Sequence, residues 1–200
     1  MRATARAEFL RFHRKSSISP TSWIADPEAM DDSRPGHRAL RKGRASAAGQ
    51  VYLVTTAAYR RNPFFREWDV ACEACRAITA AATAADVFLL CWVLMPDHWH
   101  GLLRVGGRTS LSSTMNRIKG CSAIAANRVR ASTGAIWARG FHDHTLRREE
   151  DAIATARFVI ANPVRAGLVA NVRDYAFWDA CWLAGADRSP ASGLPRTDPG

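Results

Sequence analysis

The chain has 200 residues, 48% of them hydrophobic, and a formal charge of +10, which suits one domain with a sizeable core and tails. No apolar run reaches membrane-spanning length, the basic N-terminus MRATARAEFLRFHRKSS lacks a secretory signal's apolar stretch and cleavage site, and five scattered cysteines suit a reducing cytoplasm. Lys15, Lys42 and Lys119 are the only lysines, so the charge is almost all guanidinium, whose fork matches phosphate oxygens in pairs and points to nucleic acid.

Residues 1–47 carry Ser, Pro, Gly and arginine without periodicity and read as a flexible basic arm. Met30 is a second candidate start. Within the arm, RPGHRALRKGR (34–44) supplies Arg34, Arg38, Arg41, Lys42 and Arg44, either as a solvated tail or as a phosphate-gripping segment. Order is expected over 48–183. VYLVTTAAY (51–59) is β-branched and aromatic, a first strand. Residues 64–85 place Trp68, Ala71, Cys75 and Ile78 at helical spacing, and Cys72 and Cys75 read as packing residues, because no second pair completes a zinc site. DVFLLCWVLM (86–95) reads as a central buried strand. Pro96-Asp97 turns the chain into a hairpin partner, HWHGLLRV (98–105), which Gly106-Gly107 ends. A second helix runs from Ser110 to Ala131, with Leu111, Met115, Ile118 and Ile124 inside and Arg117, Lys119, Arg128 and Arg130 outside. GAIWARGFHDHTLRR (134–148) is an extended segment or fourth strand. A third helix starts at Arg148-Glu149-Glu150-Asp151, whose acids suit a helix N-terminus, and stops at Asn162-Pro163. Residues 164–183 form a short aromatic tail and 184–200 a loose one. The order β-α-β-β-α-β predicts an α+β, ferredoxin-like (RRM-like) antiparallel sheet with helices packed on one face, the third helix being an addition.

His98 and His100 in MPDHWHGLL (95–103) fall on one side of a strand, with Trp99 on the other. They either share a divalent ion or are two polar residues on a sheet face. If the third helix packs through Ile153, Ala156 and Ile160, then Phe158 and Asn162 lie on its opposite side. With that side turned toward the histidines, Asn162 offers a carbonyl oxygen as a third ligand. A His-His-Asn set is compatible with Mg²⁺ or Mn²⁺ and unlike a closed structural zinc site.

MPDHWHGLL, WARGFHDHTLRREED (137–151) and ARFVIANPVRAGLV (156–169) resemble the HUH tyrosine transposases, in particular the branch associated with repetitive extragenic palindromes. RPGHRALRKGRASAAGQVYLVTT (34–56) resembles the opening of those proteins, and the likeness spans residues 34–182. The resemblance implies a ferredoxin-like palm in which His98 and His100 are the metal-binding pair and Asn162 the helix-borne third ligand. It implies a transposase domain at 48–183 acting on single-stranded or hairpin (palindromic) DNA, a Mg²⁺ or Mn²⁺ cofactor, and a homodimer. The location implied is cytoplasmic, on the nucleoid when DNA is bound. In the family the metal polarises the scissile phosphate, and a tyrosine oxygen attacks to leave a 5′-phosphotyrosine and a free 3′-hydroxyl. The position of that tyrosine is Phe158, which keeps the ring and lacks the oxygen, so it cannot form the ester.

Three tyrosines exist as substitute nucleophiles: Tyr52 within the first strand, Tyr59 near its end, and Tyr175 in the aromatic tail, which ranks slightly ahead although packing is its expected job. A water nucleophile assisted by Asp97 or His144 would make the chain a plain metal nuclease. GFHDH (140–144) is either a polar loop or, as the resemblance favours, part of the site's rim or a DNA-contact strand, with Asp143 and His144 as its candidates. Two functions compete: a transposase-like protein that binds DNA with strand transfer impaired or lost, and an inactive DNA-binding or repressor relative. Arg117, Arg128 and Arg130, with the arm's Arg34, Arg38, Arg41, Lys42 and Arg44, are the expected phosphate contacts. A histidine-triad hydrolase is disfavoured because position 102 is Leu102, and an RNA-binding RRM because no glycine-aromatic run lies on the strands.

Overall fold

The computed structural model describes residues 48–146 and 149–183. Residues 1–47, including Arg34, Arg38, Arg41, Lys42 and Arg44, and residues 184–200 lie outside the described residues. In chain order the elements are β1 (Val51–Ala57), α1 (Trp68–Ala84), β2 (Val87–Met95), β3 (His98–Val105), α2 (Leu111–Val129), β4 (His142–Leu146), α3 (Glu149–Ile160), the single-turn α4 (Asn162–Arg165) and β5 (Trp178–Ala180). The five strands form one sheet in the order β4-β1-β3-β2-β5, and every pairing is antiparallel. The first four strands make the ferredoxin-like arrangement, and β5 extends the sheet beyond β2.

Strand alternation assigns the two faces. Trp99 and Leu103 of β3, with Val54 of β1 and Leu94 of β2, pack in one core with Ile78 of α1 and Met115 and Ile118 of α2. Leu102 of β3, Leu53 of β1 and Val93 of β2 pack in a second core with Ala152, Ala156, Val159 and Ile160 of α3. The two earlier helices therefore cover one face and α3 covers the other, so His98 and His100, in step with Leu102, lie on the α3 side. A one-residue slip of β3 would exchange the two sets.

Several expectations move for local reasons. The first helix starts at Trp68, because Pro63 and a 3₁₀ turn at Phe64–Arg66 hold the chain out of α geometry up to Glu67. Trp68 is consequently exposed and leans on Phe177, ring centroids 4.9 Å apart. Ser110 is the N-cap of α2, its hydroxyl accepting from the Ser113 amide at 3.1 Å, an arrangement worth about 1 kcal/mol. Ile124 is exposed on α2 and lines a surface hollow with Asn127 and Arg128. Of the extended segment at 134–148, His142–Leu146 joins the sheet. The loop before it is tied to α2 by Lys119, whose ammonium donates to the Ala138 carbonyl at 2.7 Å and also to the Gly140 carbonyl. On α3, Ile153 is exposed at 46% and does not centre the buried stripe. That stripe is rotated to Ala152, Ala156, Val159 and Ile160, because small alanines at 152 and 156 let the helix approach β2 and β3. Ile153 lines a cleft with Phe88 and Trp182 instead.

Burial sorts the cysteines, all of which are free. Cys91 is fully buried beneath α3, its thiol 4.0 Å from the Ala156 carbonyl, and burial pushes its pKa up. Burial, with the charge of Cys72, pushes the Cys75 thiol up to about 12. Cys121 is exposed on α2. A thiol reagent at pH 8 is expected to modify Cys121 promptly and to reach Cys75 and Cys91 on denaturation. Prompt labelling of Cys91 would mean that α3 does not seal its face of the sheet.

Candidate metal and DNA site

β3 is the middle strand of the sheet, and the histidines sit at its start. His98 is in register with Ala57 of β1 and Met95 of β2, and His100 with Thr55 and Val93. Both are buried, at 8% and 4% exposure, and their rings meet edge to face with centroids 4.8 Å apart. The Nδ1 atom of each ring is engaged. That of His98 lies 2.6 Å from Asp97 Oδ1, and that of His100 lies 2.7 Å from Thr55 Oγ1. Nε2 is therefore the nitrogen each ring has left for a ligand. A carboxylate or hydroxyl behind Nδ1 is the support that metal-binding imidazoles commonly have.

The electrostatics agree with that chemistry. Burial above all, and then the charges of His98, Arg61 and Arg165, push the His100 imidazole down to about 3 against the opposing pull of Asp97. His100 is thus neutral at physiological pH, the form in which imidazole donates a lone pair. Burial works against ionisation of Asp97, but the hydrogen bond with His98 and the charges of His98 and Arg61 hold its carboxyl below the ordinary value. Arg61 reaches Asp97 Oδ2 at 3.3 Å. It does so from a turn in which Arg60 and Arg61 both take positive φ, 53° and 54°, a conformation uncommon for side-chain-bearing residues.

Phe158 and Asn162 come from the same side of the sheet. α3 packs on β2 and β3, and α4 packs on β2. Phe158 is half-buried, and the Arg165 guanidinium carbon lies over its ring, 3.9 Å from the centroid. The Asn162 amide nitrogen donates to the Val159 carbonyl at 2.9 Å and the Phe158 carbonyl at 3.3 Å. That pairing fixes which end of the amide is nitrogen, and leaves Oδ1 as the end suited to a cation. Among the described residues there is no group of three or more His, Cys, Asp or Glu side chains that could hold a metal. A metal held by the two histidines would therefore need a ligand of another kind, and Asn162 Oδ1 is the candidate.

The other sequence-derived residues separate. Arg117 and Arg128 are exposed on α2, and Arg130 follows its end with its guanidinium 4.4 Å from the Phe64 ring centre. All three belong to the helical layer on the far face of the sheet from the histidines. Asp143 and His144 lie on β4, in register with Val54 and Leu53 of β1. Tyr52 is buried on the α1–α2 face. Tyr175 donates its hydroxyl to the Leu94 carbonyl at 2.6 Å, and burial pushes its pKa up, so it is locked as a packing residue. Tyr59 follows β1 at the end where Ala57 faces His98. Sequence reasoning missed Thr55, Arg61 and Arg165. Thr55 could have been found by carrying the alternation of β1 across to His100, but that step needs the strand register.

The architecture is a five-stranded α+β palm with two imidazoles on its middle strand, faced by α3 with the Phe158 ring and by α4 with Asn162. The family of IS200-like transposases matches residues 46–159, more than half of the chain, and the chain belongs to that family. The matched stretch contains His98, His100 and Phe158. Among solved structures, a REP-associated tyrosine transposase bound to a REP hairpin is similar over 68% of this chain and 79% of its own, at 22% identity and a TM-score of 0.55. A protein of Deinococcus radiodurans R1 described as a transposase is similar over 59% of this chain and 95% of its own, at 20% identity and a TM-score of 0.45. No curated protein matches the chain. No helix among the described residues is long and apolar enough to cross a membrane.

Proposed function

We propose that this transposase-family protein binds single-stranded or hairpin DNA of palindromic repeats at the His98–His100 site, with Mg²⁺ or Mn²⁺ as its cofactor, and that strand cleavage is impaired or lost. The observation that carries the proposal is the pairing of a supported histidine pair with a phenylalanine. Both Nδ1 atoms are braced, which leaves Nε2 of each ring for a ligand, while position 158 offers a ring without an oxygen. Selection for binding alone would keep the first feature and tolerate the second.

His98, His100 and Asn162 Oδ1 would hold the ion, and waters or phosphate oxygens would complete its shell. A divalent ion bound there supplies Lewis-acid polarisation of a phosphodiester. The chain's own residues do the rest. Asp97 and Thr55 orient the rings, and the cations Arg61 and Arg165 favour a negatively charged ligand. Arg117, Arg128, Arg130 and the arm's Arg34, Arg38, Arg41, Lys42 and Arg44 would meet backbone phosphates away from the site. The position of the α2 arginines behind the sheet requires DNA that wraps around an edge of the domain or a second copy of the chain, and a homodimer would meet this requirement.

The test is incubation of labelled hairpin DNA with the protein and Mn²⁺, reading retention on a native gel and covalent adduct on a denaturing one. Retention without adduct is expected, and no retention would end the proposal. If only about half of these eight basic residues meet phosphates at once, binding should still weaken roughly 50-fold between 50 and 200 mM salt. A flat response would remove the phosphate contacts from the account. The second reading, a repressor with no cleavage role, is favoured by the same Phe158. It predicts that His98→Ala leaves hairpin affinity unchanged, whereas the metal-site reading predicts a loss.

A further inference from the structure

Two arginines, Arg61 and Arg165, belong to the segments around the histidine strand, and they are not equivalent. Arg61 is paired with Asp97. Arg165 is exposed, has no carboxylate partner among the described residues, and lies with its guanidinium carbon 3.9 Å from the centre of the Phe158 ring. The two positions are brought together by the helix break at Ala161. There α3 gives way to the single turn Asn162–Arg165, which rests on β2, the neighbour of the histidine strand. Asn162 Oδ1, the Phe158 ring and the Arg165 fork are therefore presented by one continuous stretch of eight residues.

We propose that Arg165 is a phosphate-binding residue of this site and that Phe158 is the shelf that holds it. The ligand is a phosphodiester of single-stranded nucleic acid, and the inference rests on the DNA-binding reading above. An arginine against an aromatic face satisfies its cationic surface through the ring quadrupole, while its N–H donors stay available at the edge of the plane. Those donors match two oxygens of one phosphate. The site already carries the charge to attract such a group, because Asp97 is committed to His98 and Arg61 and no other carboxylate among the described residues pairs with Arg165. This assigns position 158 a task that a ring performs without a hydroxyl. The chain can lose the nucleophile and still keep selection for an aromatic residue at that point.

The experiment is fluorescence anisotropy of a labelled DNA hairpin with a single-stranded flank, in Mn²⁺, as a function of salt. The unmodified chain is compared with Arg165→Met, Arg165→Lys and Phe158→Leu, and circular dichroism checks the fold of each. Arg165→Met should weaken binding about tenfold and reduce the salt slope by about one. Arg165→Lys should restore the slope and only part of the affinity, because it keeps the charge and loses the planar fork. Phe158→Leu should weaken binding roughly threefold while leaving the slope near that of the unmodified chain. If the unmodified chain binds and Arg165→Met matches it in affinity and slope, the inference is wrong and the DNA reading stands. If the unmodified chain binds no hairpin, both fall.

Discussion

Replacing Phe158 with tyrosine is expected to give the chain a covalent DNA adduct, with none expected from the unmodified protein. The substitution adds one oxygen at the far end of a half-buried ring whose backbone already sits on the histidine face of the sheet. Arg165 lies over that ring at 3.9 Å, and a neighbouring guanidinium favours the phenolate, the form that attacks phosphorus. With hairpin DNA and Mn²⁺, a band resistant to denaturant should rise roughly a hundredfold or more above that of the unmodified chain, whose position 158 offers no oxygen to form the ester. EDTA, or His100→Ala in the tyrosine background, should remove it. Binding without any adduct in the Phe158→Tyr variant would mean that the site has lost more than its hydroxyl. A strong adduct from the unmodified chain would mean that another nucleophile serves. Tyr59→Phe is then the substitution to make, because the Tyr175 hydroxyl is committed to the Leu94 carbonyl.

Which parts of this site could be read in advance follows from the range over which each signal acts. The His98–His100 pair was legible because strand alternation is a local rule, and Pro96-Asp97 marks where the strand begins. The element order was legible for the same reason, and with it the ferredoxin-like sheet. Ile153 was misplaced because periodicity fixes the spacing of a helical stripe and leaves its rotation to the surface it meets, and Ala152 sits closer to that surface. β5 was not foreseen: Trp178, Asp179 and Ala180 are three residues without alternation, and they become a strand because β2 offers an open edge at Cys91–Val93. Arg61 was hidden by its backbone. Its positive φ turns it back toward Asp97, and nothing in Tyr59-Arg60-Arg61-Asn62 announces that turn. The opposition of the α2 arginines to the histidines depends on which helices share a face, a property of the assembled sheet alone. Glycine 101 belongs with the residues whose importance the sequence conceals, since HWHGLL shows a glycine in a strand and no reason for it.

Gly101→Ala should be the most destabilising single-methyl change in β3. A Cβ at this position would have the Cη2, Cζ2 and Cζ3 atoms of the Trp99 ring all under 3.0 Å away. The two residues share a face, and the indole folds along its own strand to lie across residue 101, fully buried against α1 and α2. Trp99 cannot rotate away, because the surrounding core is close-packed and the ring is fully buried in it. Overpacking of this kind costs about 3 kcal/mol, which for a domain of this size lowers Tm by roughly 10 °C. Thermal unfolding followed by circular dichroism measures it. The clash is specific, so the same substitution in a Trp99→Leu background should cost much less, and an equal cost in both backgrounds would show that the ring is not where the structure puts it. The consequence reaches the site through the alternation of the strand. Trp99 anchors β3 on the helical face, and that anchor sets His98 and His100 on the other. Gly101→Ala should therefore also weaken the proposed Mn²⁺-dependent DNA binding at temperatures where the domain is still folded, although residue 101 lies on the opposite face of β3 from the histidines.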